Sequence, residues 1–503
     1  MRLVAKIALP FFLLLFSAGA AGQDTQTQKL LSGYAGAEPL RSGIVGVLAV
    51  RGADTLAQMN RRIKMVPASN VKLITTGLSL LSLGADWRFK TTLSYTGSIS
   101  DGVLDGDLYI VGGGDPTIAA QTSCADSLEV TFRAWKAVLE RSGIRAIKGR
   151  IVGDSRFFNR PLVDSSWQAE DLGSIDGAGP QGLNFFGNSV VFNVSGGEVG
   201  KAPQIETLYP DTPWMSYVNS AVTTEVKSDN SLYYVCSDLA PCGEFHGKFP
   251  SGRKDYKLYC SNPFPAYTCA YFFCNYLISN GIAVEGGYAD ISPQGNVRSD
   301  LLFSDIGHAA AVTGDLESLG TQESPDLWGI VRDTNFDSNN FYAETLFNML
   351  AVKQYGVSDR ALSAQAATEM LSSLGLRPYG ACVISDGSGL SRKNYVSPEF
   401  FVRFLRRMYS GPVRDYYVAS LPNPGKGTLK NRLAGASSEV RRRIFMKSGS
   451  MNGVLCYSGY ILSPDSDRSK TIFFSILTNN VSAPSWKVAP IIDEILLSLA
   501  SEP

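Results

Sequence analysis

Residues Val71 to Leu83 are apolar around so much of the helical circumference that a helix formed there has to be enclosed by the rest of the chain. Val71, Leu73, Ile74, Leu78, Leu80, Leu81 and Leu83 spread around the wheel instead of forming one stripe, the pattern of a helix buried on most sides. At its start stands Pro67-Ala68-Ser69-Asn70-Val71-Lys72. Proline leads into a helix and serine is at home near its N-terminus. Lys72 lies over the same face as Ser69, one turn along. A serine hydroxyl is a poor nucleophile until a neighbouring base takes its proton. Desolvation and nearby positive charge favour the neutral form of a lysine, which can be that base, and the positive helix end stabilises developing negative charge. The enclosed helix thus presents a nucleophile–base pair, Ser69 and Lys72.

Two further short motifs follow in order. Ser338-Asn339-Asn340 precedes Phe341-Tyr342-Ala343-Glu344-Thr345-Leu346-Phe347, a helix start with an acid in its early turns. Here the Ser338 hydroxyl can relay protons, and Asn340 can hold Lys72 and a substrate amide. Lys447-Ser448-Gly449-Ser450 lies on a strand leading to Val454–Ile461. A strand edge can pair with an extended substrate backbone, Gly449 removes the side chain where that backbone approaches, and Lys447 with the Ser448 hydroxyl suits a terminal carboxylate. Each motif has a bland reading. A chain of this length holds roughly two S-x-x-K matches by chance, and the second one, Ser251-Gly252-Arg253-Lys254, sits in a polar loop with no apolar helix behind it. Ser228-Asp229-Asn230 is likewise a polar turn. On its own, Lys447 would be an edge-strand lysine. Together and in this order, S-x-x-K, S-x-N and K-[ST]-G form the signature of active-site-serine enzymes that handle penicillin and D-alanyl peptides.

Composition narrows the chemistry. The chain carries 46 basic and 46 acidic residues and a formal net charge of +0, so it offers no electrostatic footprint for nucleic acid. It has only two histidines, His246 and His308, which argues against a Ser-His-Asp triad or a multi-histidine zinc site. Of eight cysteines, Cys236, Cys242, Cys260, Cys269 and Cys274 cluster. Without a C-x-x-C pair they are not read as a zinc site, and an exported setting allows disulfides whose pairing the sequence leaves open. No metal and no cofactor is expected.

Residues 1–23 read as a signal peptide: Arg2 and Lys6, the apolar run Ile7–Phe16, and the small residues Ala18-Gly19-Ala20. The run is short for a hydrocarbon core of about 30 Å, and no cysteine follows it to carry a lipid. The apolar C-terminal stretch Ile491–Leu499 lacks the basic face of a membrane-lying helix and reads as a helix packed on a sheet. The expected protein is exported and periplasmic, at most peripheral to a membrane.

The 503 residues exceed what one core accommodates. From about residue 90 short alternating strands replace the buried helix, residues 189–262 are strand-rich, and helical patterning returns from about 300. The texture predicts a catalytic domain built from 24–90 and 300–503. An insertion of 91–188 and 263–299 divides it, and 189–262 nests inside that insertion as a second β-rich domain. Gly112-Gly113-Gly114-Asp115-Pro116 reads as turn chemistry, not as a phosphate cradle.

With these residues in hand the chain resembles the class C low-molecular-mass penicillin-binding proteins, the D-alanyl-D-alanine carboxypeptidase/endopeptidase family. The likeness runs over nearly all of the chain after residue 23. It is carried by the three motifs, by Gly112–Pro116, by Gly153-Asp154-Ser155 with Phe157, and by Leu183-Asn184 with Asn188-Ser189. Asn339–Glu344, Asp386-Gly387-Ser388-Gly389-Leu390-Ser391-Arg392 and Gly427–Arg432 complete it. The resemblance implies an α+β fold: a penicillin-binding/β-lactamase-like transpeptidase domain, an antiparallel sheet flanked by helices, with a large mostly-β insertion between the first and second motifs. It implies a serine D,D-peptidase that releases terminal D-Ala from peptidoglycan stem peptides through an acyl-serine, cuts D-alanyl cross-links, and is acylated by β-lactams. Its roles would be Ser69 nucleophile, Lys72 general base, Ser338 relay, Asn340 positioning, Lys447 electrostatic, with Ser448, Gly449, Ser450 and Asn452 at the substrate and the Ser69 and Ser450 N–H groups as oxyanion hole. Asp171, in Trp167-Gln168-Ala169-Glu170-Asp171, is the acid expected to grip the amine of a diamino-acid side chain. Ser448 stands where the family has threonine and keeps the hydroxyl. The competing readings are a β-lactamase or esterase of the same fold and a catalytically lapsed cell-wall-binding protein.

Overall fold

The N-terminal hairpin of Ile44–Arg51 (β1) and Asp54–Met59 (β2) completes a sheet whose other strands come from the far end of the chain, Ile444–Met451 (β3), Val454–Ile461 (β4) and Ile472–Asn479 (β5). The order is β2-β1-β5-β4-β3, antiparallel throughout, with Ile44 opposite Asn479 and Lys447 opposite Ser458. The computed structural model describes residues 25–158, 163–291 and 315–502; the expected signal peptide and His308 lie outside them.

The central strands β4 and β5 are buried along their whole length, because both faces of the sheet are covered. Val45, Val47, Leu455, Tyr457, Phe474 and Ile476 face the helices Gln26–Ala35 (α1) and Ser485–Ser501 (α5). The alternate residues Leu48, Val50, Cys456, Tyr460 and Phe473 face Lys72–Leu83 (α2) and Pro398–Tyr409 (α4), the period of two of a sheet packed on both sides. The stretch read as packing on the sheet is therefore the C-terminal part of α5. Helix α2 is enclosed by Leu327–Phe336, Asn340–Tyr355 (α3), Arg360–Ser373 and α4, as its apolar circumference requires. It begins at Lys72, not at Ser69: residues Ala68–Val71 form a tight 3₁₀ turn ahead of it.

Between α2 and α3 the chain builds a mixed five-stranded sheet in the order Tyr288–Ile291, Ile151–Asp154, Leu108–Val111, Lys90–Tyr95, Glu317–Glu323. The helix Leu128–Arg141, capped by Ser127, and the helix Pro265–Ser279 share a core with it through Phe132, Trp135, Phe185 and Phe273. Glu317–Glu323 pairs with Lys90–Tyr95 although it follows residue 300. The Gly112–Gly114 segment is a turn held by backbone bonds, Gly112 N–H to Asp154 O (3.0 Å) and Gly114 N–H to Gly182 O (2.7 Å). A separate core of Phe192, Tyr234, Phe245 and Phe249 holds the strands between Ser189 and Ser261. All eight cysteines are free thiols. The disulfides that export would allow within the 236–274 group are not formed: Cys269 and Cys274 point into a helix-packed core, and Cys236 faces Ser261.

The piece beneath α2 carries buried charge. Glu344 on α3 is fully buried and accepts from Arg360, whose Nε lies 2.9 Å from Asp164. Breaking a buried pair leaves an uncompensated charge and costs roughly 3–5 kcal/mol. Arg360→Met is expected to lower the unfolding free energy by about that amount, read from the urea midpoint; an unchanged midpoint would show that Glu344 takes up a proton at no cost.

Candidate active site

Ser69 sits in the 3₁₀ turn ahead of α2, and three separate parts of the chain close on it. The free edge of the main sheet passes it at Gly449. A Cβ there would lie 2.6 Å from Pro67 O and 2.9 Å from both Ser69 N and Asn70 N, so only glycine lets the strand approach. The loop Asp386–Ser391 crosses it at Gly389, which has φ +88° and whose Cβ would lie 2.0 Å from Ala68 O. Helix α3 starts beside it with Asn339 capping the Tyr342 N–H. Two residues with side chains hold left-handed backbone at these approaches, Ala68 (φ 46°) and Ser338 (φ 61°), conformations that persist only where the surroundings enforce them. The side chain of Asn70 ties the turn to the sheet, donating to Ser458 Oγ at 2.9 Å.

Lys72 is fully buried. Its Nζ has three neighbours: Ser69 Oγ at 3.0 Å, Asn340 Oδ1 at 2.6 Å and Ser388 O at 2.6 Å. None is a carboxylate. Burial pulls its pKa down from 10.5 to about 8, against the opposing fields of Asp386, Glu344 and Asp176. Lys447 is equally buried, and desolvation, then the charge of Lys72, hold it well below the usual lysine range. It donates to Ser338 Oγ (2.9 Å) and Ser448 O (2.7 Å). Since Ser338 accepts from Lys447, its own hydroxyl hydrogen remains free to be passed on. Ser448 Oγ donates to Thr428 Oγ1 at 3.0 Å.

The loop Asp386–Ser391 is organised around the buried carboxylate of Asp386. It accepts from the N–H groups of Gly389 (2.8 Å) and Ser391 (2.6 Å), from Asn394 (2.6 Å), and from Trp167 Nε1 (2.9 Å). Glu344 holds the Ser388 N–H at 2.7 Å. These acids lie behind Lys72 and leave the side facing Ser69 clear.

The structure therefore gathers Ser69, Lys72, Ser338, Asn340, Lys447, Ser448 and Gly449 in one place, and Ser69, Ser338, Asn340, Ser448 and Ser450 line a cleft of about 570 Å³. The S-x-x-K at Ser251 and the S-D-N at Ser228 fall in the turns of the β-rich segment. Asn452 lines a neighbouring depression at the end of β3 instead of the Ser69 cleft; its carbonyl accepts from Arg392 at 2.9 Å. Asp171 lines neither the cleft nor its extension. Asp337 does, and so does Asp176, on the short turn Ile175–Gly177, whose backbone O and Oδ1 accept from Asn340 Nδ2 at 3.2 and 3.3 Å. Sequence reasoning missed it because no spacing rule tells which acid of an irregular segment faces a cleft. It also missed Asp386 as the organiser of the loop, though Asp-Gly-Ser-Gly carries the turn signal that could have marked it.

A neutral lysine deprotonates Ser69; a charged one cannot. The rate of acylation by a penicillin is therefore expected to rise with pH through about 8, as Lys72 loses its proton, in a stopped-flow pH profile. A rate falling over that range would place the base elsewhere. Gly449→Val is expected to slow acylation by about a hundredfold, since even small displacements of reacting groups cost that much, with the circular dichroism spectrum unchanged.

The model of the D-Ala-D-Ala carboxypeptidase 3 (S13) family matches residues 34–492. The chain is 28% identical over 456 residues to a D-alanyl-D-alanine carboxypeptidase from an Actinomadura species, covering 88% of this chain and 78% of that one. It is 24% identical over 448 residues to the D-alanyl-D-alanine carboxypeptidase DacB of Haemophilus influenzae, 86% and 85% covered. Among solved structures it resembles penicillin binding protein 4 of Haemophilus influenzae, with a TM-score of 0.78, 22% identity, and 95% and 100% of the two chains covered. The same protein has been solved in complex with a β-lactam (TM-score 0.72, 20% identity, 94% and 98% covered). The fold is the expected α+β penicillin-binding fold.

Proposed function

The chain belongs to the D-Ala-D-Ala carboxypeptidase 3 (S13) family and is a serine peptidase, and from that premise we propose that Ser69 cleaves the peptide bond before a C-terminal D-alanine of a peptidoglycan stem peptide. Lys72 takes the Ser69 proton as Oγ attacks the carbonyl carbon of the penultimate D-Ala. The C–N bond breaks, the leaving amine takes a proton through Ser338, and an ester remains on Ser69. Water then attacks that ester as Lys72 accepts its proton; the bond from the acyl carbon to Ser69 Oγ breaks, Lys72 returns the proton to Oγ, and the shortened peptide leaves with a new carboxylate. Backbone N–H groups of Ser69 and Ser450 hold the oxyanion, Lys447 stabilises negative charge, and the Ser448 hydroxyl receives the terminal carboxylate.

The observation that supports this reading most is the Lys72 environment: a fully buried amine 3.0 Å from a serine hydroxyl, bonded otherwise only to two carbonyl oxygens. An ion-paired lysine would stay charged; this one has no carboxylate in contact, and its burial favours the neutral base. A β-lactam carries the same carbonyl into the same cleft and leaves a slowly hydrolysed ester. Cleavage of a cross-link is the same step with a larger leaving amine, and the unpaired edge of β3 offers it a backbone to pair with. We read residues 1–23 as the export signal to a periplasm, where this substrate lies. We read 24–90 with 300–503 as the catalytic piece around the insertion, except for strand Glu317–Glu323, which pairs into the insertion's sheet. Among the described residues no helix is long and apolar enough to cross a membrane.

Ser69→Ala is expected to abolish covalent labelling by a fluorescent penicillin, and the native enzyme to release D-Ala from pentapeptide muropeptides, detected by mass. Labelling of Ser69→Ala at the native rate would displace Ser69 as nucleophile. Rapid multiple turnover of the penicillin without D-Ala release would make the enzyme a β-lactamase.

A further inference from the structure

A neutral primary amine has two hydrogens and one lone pair. For Lys72 to act as base, the lone pair has to point at Ser69, so the two hydrogens have to go to the other two neighbours. Those are both amide oxygens, Asn340 Oδ1 and Ser388 O, each at 2.6 Å. The orientation of the two amides thus decides where the lone pair points. The Ser388 carbonyl cannot turn, because the N–H of the same peptide unit, that of Gly389, is held by Asp386 at 2.8 Å. Asn340 is different. Its amide sits at the end of a side chain, and a half turn about the last bond exchanges oxygen for NH₂. The exchanged amide would offer hydrogens to Lys72 Nζ, draw its lone pair away from Ser69 and leave the base misdirected.

What opposes that half turn lies outside the three motifs. Asn340 Nδ2 donates to Asp176 O at 3.2 Å and Asp176 Oδ1 at 3.3 Å. The exchanged amide would set its oxygen against these two oxygens. The turn that carries Asp176 is itself fastened: Gly177 N–H bonds Ser174 O (3.1 Å), Ser174 bridges to Cys260, and Ser261 N–H bonds Gly173 O (3.0 Å). Asp176 lines the Ser69 cleft and also an adjoining cleft of about 480 Å³ on the far side of Asn340, so it stands where the insertion meets the catalytic groups.

We propose that Asp176 is a positioning residue of the reaction: by fixing the amide of Asn340 it aims the lone pair of Lys72 at Ser69, and so makes the insertion part of the catalytic base. The proposal rests on the reading of Lys72 as general base. The charged groups facing Lys72 are Asp386 and Glu344 behind it, Lys447 across from it and Asp176 at the cleft; those nearest Asp176 besides are Asp171 and Asp337.

The test is the acylation rate constant and the pre-covalent affinity for a fluorescent penicillin, measured against pH for the full-length enzyme and for Asp176→Ala, Asp176→Asn and Lys72→Ala. Asp176→Ala keeps one backbone acceptor and loses the side-chain one; its acylation rate is expected to fall about tenfold, the scale of one lost hydrogen bond, with pre-covalent affinity unchanged. Asp176→Asn retains an acceptor oxygen and loses the charge. Its rate at high pH is expected to recover to within about threefold of native, with the midpoint of the profile moved to lower pH, because a carboxylate that favoured the ammonium form is gone. Native rates and profile in Asp176→Ala would overturn the proposal. So would a loss in both Asp176 variants accompanied by a lower melting temperature and no change of midpoint, the mark of a merely structural role. Rapid acylation of Lys72→Ala would instead remove the base reading itself, whatever the Asp176 variants do.

Discussion

The contact on which this structure turns is that of one buried amine with three oxygens, none of them charged. Lys72 Nζ lies among Ser69 Oγ, Asn340 Oδ1 and Ser388 O. Burying a lysine is costly when it is charged, and the usual remedy is a carboxylate in contact. Here the remedy is withheld: Asp386, Glu344 and Asp176 act on Lys72 only across a distance, and each is occupied with backbone or side-chain donors of its own. The lysine is left with enough field to be a cation at low pH and little enough to give up its proton near pH 8. Catalysis and stability pull against each other at this point, and the surrounding packing holds the balance.

That balance needs tight approach from several directions. Gly449 lets an edge strand touch the nucleophile turn, and Gly389 lets a loop lie across it. Left-handed backbone at Ala68, the residue before the nucleophile, and at Ser338 is a conformation a free chain avoids. Behind them, Glu344 pairs with Arg360, Arg360 with Asp164, and Trp167 donates to Asp386. Asp164 and Trp167 come from the segment inserted between the motifs. The insertion is therefore bound into the floor of the site by buried polar contacts as well as reaching its rim at Asp176. Its own cores, around Trp135 and around Phe245, make that reach rigid.

Much of this was legible in the chain. The apolar circumference of α2 required enclosure, and enclosure is what the helices around it provide. The turn at Gly112 is a local feature, and it took the form its residues dictate. With only two histidines in the chain, lysine is the base its composition favours. Other features lay beyond local patterns for physical reasons. Asp171 and Asp176 occupy one irregular stretch in which no period relates sequence to facing, and it is Asp176 that lines the cleft. Asn452 follows a motif residue in sequence, yet lies past the end of the strand, where the chain turns away from the cleft. Strand Glu317–Glu323 joined a sheet nucleated far upstream, since strand pairing is a long-range choice that local composition does not encode.

By itself the sequence determined the chemical inventory: a serine with a lysine one helical turn away, a serine–asparagine pair at a helix start, a lysine on a strand, and the helix that must be buried. These follow from periodicity and side-chain chemistry, which act over a few residues. Only the tertiary structure decided the protonation and aim of the lysine. Those depend on how completely water is excluded, on which carbonyls converge, and on which distant acids hold them, namely Asp386 for the Ser388 peptide and Asp176 for Asn340. A pKa and a lone-pair direction are properties of a packed environment, and the residues that set them here stand more than a hundred positions apart.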